Sequence, residues 1–131
     1  RDPRVTRLWL AHGGGDTHAM IDRGLEKEIP NRWLRAPVSH LANVLASGPR
    51  FTPERWIAQV APRPVVMLNA EADEKIPRRS VEILYAAALA PKELVWLPGN
   101  HMQGNRPDVL RQLVDAMMVR AYPSSAATPP D

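Results

Sequence analysis

Cysteine is absent from the 131 residues. That removes disulfides, thiolate metal sites and a cysteine nucleophile together. It also leaves the redox compartment unreadable, so a cytoplasmic location is expected only as the default. No apolar run approaches the roughly 18 residues of a membrane span, and no signal-peptide pattern is present. The chain opens Arg-Asp-Pro-Arg without an initiator Met, which suggests processing or a fragment, so a targeting sequence could be missing. A dominant charge is lacking as well: 17 basic residues face 14 acidic ones, for a net charge of +3. The basic residues are scattered and match no nucleic-acid-binding motif, so they read as a solvated mixed surface.

What is abundant is proline, 14 residues of it, which cuts the chain into short elements and argues against a bundle of long helices. Three short apolar runs stand out: Val5 to Ala11, Pro64 to Ala70 and Glu93 to Leu97. Near-continuous apolar runs fit strands buried on both faces of a parallel sheet. Helical spacing follows in Ser80 to Ala90, with Ser80 as the N-cap, and in Pro107 to Tyr122. The second of these starts on Pro and presents Leu110, Leu113, Val114, Met117 and Met118 as its core face. Between Thr17 and Val60 the pattern is weaker. Leu41 to Leu45 and Pro53 to Val60 read as short helical pieces, and Asp22 to Pro37 as a loop or lid-like excursion. The composition of residues 123–131 predicts a disordered tail. The expected architecture is α/β, with about three parallel strands and flanking helices in one unit over residues 1–122.

In an open parallel sheet, the loops at the carboxyl ends of the strands share one edge, and active sites form there. Asp73 follows the second apolar run and His101 follows the third, so one strand–helix–strand crossover should bring them together. A carboxylate against an imidazole fixes its tautomer and frees the other ring nitrogen to act as a base.

These residues carry a resemblance. The stretch from Trp56 to His101 resembles the acid-to-histidine part of α/β-hydrolases, closest to serine esterases of the dienelactone-hydrolase and peptidase-like branch. In that pattern a strand begins with Pro, a G-x-x-D-x-x-x-P turn carries the acid, and a helix, a strand and a Pro-Gly-x-His turn follow. Here the acid turn runs from Ala70 through Asp73 to Pro77, with Ala70 in place of the glycine. The match spans about residues 56–120, and the opening RDPRVTRLWLAHGGGD resembles the strand after the nucleophile helix.

The resemblance implies the C-terminal part of an α/β-hydrolase fold, hydrolysis of carboxylic esters or related acyl bonds, Asp73 and His101 as catalytic residues, and no cofactor or metal. It also implies a Ser in a G-x-S-x-G elbow. The chain has no such motif, so the nucleophile is expected upstream of residue 1. The partners implied are a small ester or acyl substrate, no nucleic acid, no membrane, and either a second copy or the N-terminal part of the same hydrolase. Two rivals stand beside this reading: a non-catalytic interaction or dimerisation module, and a truncated esterase rebuilt around Ser39 or Ser47.

Other motifs have blander readings. His12-Gly13-Gly14-Gly15 matches the oxyanion string of lipases but lies at the wrong place in chain order, so a glycine turn is favoured. His12, Asp16 and His18 could ligate a metal, although a glycine-rich loop fixes no geometry. Ser39 beside His40 could be a nucleophile–base pair, but adjacent side chains rarely face each other. Glu71, Glu74 and Lys75 read as solvated turn charges. Trp9 and Trp96 read as core, and Trp33 and Trp56 as cleft or packing residues.

Overall fold

A computed structural model describes residues 2–46 and 48–122. The expected disordered tail, residues 123–131, and Ser47 lie outside the described residues. The order is β1 (Leu8–Ala11), α1 (Thr17–Gly24), α2 (Arg32–Leu45), the single turn α3 (Gly48–Phe51), two short 3-10 turns, β2 (Val65–Ala70), α4 (Arg78–Ala87), β3 (Lys92–Leu97) and α5 (Pro107–Ala121). The three strands form one parallel sheet in the order β1-β2-β3. Leu8 pairs with Val65, and Val65 with Lys92. The chain is therefore α/β, as its three apolar runs predict.

Every residue of β2 is buried, and alternate side chains serve opposite faces. Val65 and Met67 pack with Ile57, Ile76, Val81 and Leu84 beneath α4. Val66 and Leu68 pack with Leu97 and Leu113 beneath α5. Trp96 packs against the first cluster and Trp9 against the second.

Three local expectations need correction. Helix α4 starts at Arg78, so Ser80 is a buried residue of its first turn and not the cap. The buried face of α5 is Val109 and Leu113, with Ala116 and Met117 against the core, while Val114 and Met118 are about half exposed. Asp22 to Pro37 is mostly helical: it holds the end of α1 and the first half of α2, which continues through Pro37. Leu41 to Leu45 is the end of that same helix.

Candidate active site

The carboxyl ends of the three strands are laced together by backbone bonds. The His12 N–H donates to the Leu68 carbonyl at 2.8 Å, Glu71 to Leu97 at 2.9 Å, and Ala72 to Gly99 at 3.0 Å. Gly99 has φ +103°, a conformation few other residues adopt, and its carbonyl meets the acid turn. The residues that follow β1, β2 and β3 are thus gathered at one edge.

Asp73 is fixed first by its own turn. Its Oδ1 accepts the Lys75 and Ile76 amides at 2.9 and 2.8 Å, an Asx-type arrangement that needs an acceptor side chain at this position. His101 Nδ1 lies 2.9 Å from Oδ2 and 3.1 Å from Oδ1. An ionised carboxylate only accepts, so the ring donates from Nδ1 and carries its lone pair on Nε2. Burial pushes the Asp73 carboxyl up, but the Ile76 amide, the His101 ring and the Lys75 amide outweigh it and hold the group below its ordinary value.

The loop carrying His101 is clasped from two sides. Glu74 Oε2 accepts the His101 N–H at 3.0 Å, and Arg106, at the start of α5, donates to the His101 carbonyl at 2.9 Å and to Glu74 Oε1 at 2.7 Å. The His101 amide and the Arg106 guanidinium together hold the Glu74 carboxyl down at about 2. Glu74, read from sequence as a solvated charge, braces the histidine loop. An open cleft of about 760 Å³ lies beside it, lined by Met20, Arg23, Lys27, Lys75 and Arg106 among others.

His12 joins the same cluster. It adopts φ +49° immediately after β1, and its side chain is 2% exposed. Its Nδ1 lies 3.2 Å from Asp73 Oδ2 and 3.3 Å from the Met102 amide. Its ring stands edge-on to that of His101, with centroids 5.2 Å apart. The sequence reading did not group His12 with Asp73, although the strand-end rule that links Asp73 to His101 applies equally to the residue after β1.

The remaining candidates disperse. The Gly15 amide donates to the Ser80 carbonyl, and the Gly13 carbonyl accepts from Asn69. A Cβ on Gly14 would stand 2.8 Å from Ile76 Cγ2, so the glycines allow a close turn against α4. Asp16 caps α1 by accepting the Ala19 amide, and His18 meets Ser39, so His12, Asp16 and His18 do not converge. Ser39 is fully buried on α2 and pairs with His18, not His40: its Oγ is 3.2 Å from His18 Nε2, 3.1 Å from Asp22 Oδ1 and 3.0 Å from the Ala36 carbonyl. Ser80 is buried on α4. Neither serine lies at the strand-end cluster.

The fold and site define an α/β chain with a buried carboxylate between two histidines at the strand-end edge of a parallel sheet. No family model matches the chain. It is similar to proteins bearing the name Uncharacterized protein YfhR. The Salmonella typhi protein is 43% identical over 54 residues, covering 40% of this chain and 18% of that protein. The Escherichia coli O157:H7 protein is 32% identical over 136 residues, covering 93% of this chain and 48% of that protein. The chain thus spans about half, or less, of the length of these relatives. Among solved structures, the esterase domain of a Rhodothermus marinus protein is similar at 23% identity and a TM-score of 0.42, over 54% of this chain and 30% of that one. The hypothetical protein PA2218 of Pseudomonas aeruginosa is similar at 30% identity and a TM-score of 0.31, over 45% of this chain and 20% of that one.

Proposed function

We propose that the chain carries the acid and the histidine of a hydrolase acting on carboxylic esters or related acyl bonds. The observation that carries this reading is the Asp73–His101 contact of 2.9 Å, made from two separate strand-end turns. Asp73 orients the ring and stabilises the imidazolium. His101 Nε2, which makes no hydrogen bond to any described residue, takes the proton of a serine hydroxyl as acyl transfer begins and returns it to the leaving group. The His101 side chain is 18% exposed, so a substrate can reach it. We place the serine in a segment outside this chain, because the sequence has no G-x-S-x-G elbow and, among the described residues, Ser39 and Ser80 are buried. A panel of short-chain aryl esters tests the reading, assayed on this chain and on a form extended by the segment encoded upstream. His101-dependent turnover by the extended form, with weak or no turnover by the chain alone, is expected. No turnover of any ester by an extended form bearing a G-x-S-x-G elbow would contradict it.

One observation favours a second reading, an interaction module. Helix α2 buries Arg35, Ser39 and Asn43 and leaves Leu34, Leu41 and Leu45 exposed. Such an apolar stripe fits a surface meant to be covered.

A further inference from the structure

The two oxygens of Asp73 have different surroundings, although His101 Nδ1 reaches both. Oδ1 is held by the Lys75 and Ile76 amides. Oδ2 receives no backbone donor and lies between two ring nitrogens, 2.9 Å from His101 Nδ1 and 3.2 Å from His12 Nδ1. One donor atom from each of the three residues lies within 4.8 Å of the other two. The contacts of His12 conflict as a set of hydrogen bonds. Its Nδ1 can donate to Asp73 or accept the Met102 amide, but a single nitrogen cannot do both. If it accepts, a lone pair faces a carboxylate oxygen at 3.2 Å with no proton between them. Protein groups alone therefore leave Nδ1 of this ring with two contacts that it cannot both satisfy.

A cation answers the geometry. Zinc binds imidazole nitrogen and carboxylate oxygen at about 2.0–2.2 Å, which in a tetrahedral site spaces the donors about 3.3 Å apart. The two contacts to Oδ2 are already within a few tenths of an ångström of that spacing. Two imidazoles and one carboxylate suit zinc, cobalt or nickel better than magnesium or calcium, which prefer all-oxygen sites. We propose that His12, Asp73 and His101 form a three-ligand site for a divalent transition metal. The site goes beyond the hydrolase reading. One consequence does rest on that reading: a metal on His101 Nδ1 leaves the proton on Nε2, so the ring cannot act as a base and zinc silences hydrolysis reversibly.

Binding can be followed without any substrate. The chain is stripped with a chelator and titrated with zinc by calorimetry, and the ring nitrogens of its four histidines are followed by NMR. One zinc per chain is expected at low micromolar affinity or tighter. It should shift the rings of His12 and His101 and leave those of His18 and His40, whose centroids lie 5.8 Å apart, unmoved. Affinity should fall at least about tenfold, 1.4 kcal/mol, in His12→Gln and persist in His18→Gln. The ring shifts of the unsubstituted chain decide the matter if His12→Gln fails to fold. No binding at submillimolar zinc, or binding that moves His18 and His40 instead, overturns the proposal. Ester turnover is assayed separately in chelator. A protein that hydrolyses esters but binds no zinc removes the metal site alone, and one that binds zinc but hydrolyses nothing removes the hydrolase reading alone.

Discussion

Asp73 and Glu74 are neighbours with different tasks. Asp73 shapes its own turn and holds the His101 ring, while Glu74 holds the His101 backbone. Both carboxyls sit below their ordinary values, Glu74 falling from 4.5 to about 2. A lowered carboxyl in the folded chain means the unfolded chain binds protons more readily. The stability that Glu74 contributes is therefore complete above about pH 4.5 and fades as the pH falls toward 2. Denaturant midpoints measured across that window should drop, and Glu74→Gln should flatten the drop. The effect is modest because Glu74 is more than one-third exposed. An unchanged slope in Glu74→Gln would show that the clasp contributes nothing. At this scale the meeting of Asp73 and His101 is legible from sequence because both follow apolar strands whose carboxyl ends share one sheet edge. The role of Glu74 is not, because its partners Arg106 and the His101 amide come from a distant element.

Helix α2 is inside out relative to the usual amphipathic pattern. Its buried side, Arg35, Ser39 and Asn43, recurs every four residues and is satisfied by polar groups of α1: Asp22, His18 and Thr17. The apolar periodicity lies on the opposite, exposed side, at Leu34, Val38, Leu41 and Leu45, and Pro30 and Pro37 interrupt it, which is why the segment from Asp22 to Pro37 reads as a loop. Strand β2 is legible because burial on both sheet faces writes itself as an apolar run, and β1 and β3 carry the same kind of run although they are only partly buried. Of the expected face of α5, Leu113 and Met117 pack against the sheet, while Val114 and Met118 lie at its margin, about half exposed. Ser39→Ala should destabilise the fold by about 1 kcal/mol, since it removes the hydrogen bonds of a buried hydroxyl to His18, Asp22 and the Ala36 carbonyl. It should leave ester turnover by the extended form unchanged. Loss of turnover with stability intact would instead support a site rebuilt around Ser39.

The sheet as a whole is narrow. Among the described residues β1 and β3 each have a single strand partner, so both edges present backbone donors and acceptors. The apolar stripe on α2 adds to the exposed surface. We expect the chain to self-associate or to bind a complementary N-terminal segment. Light scattering should give a mass that rises with concentration, and Leu41→Ser combined with Leu45→Ser should lower it. A concentration-independent monomer would contradict this.

The central claim concerns Asp73 and His101, and the most direct measurement is aryl-ester turnover by the extended form with each of them replaced. His101→Ala should remove several orders of magnitude. Asp73→Asn should cost up to about 10⁴-fold by releasing the tautomer, as in related triads. Turnover that survives His101→Ala undiminished would contradict the account at its foundation.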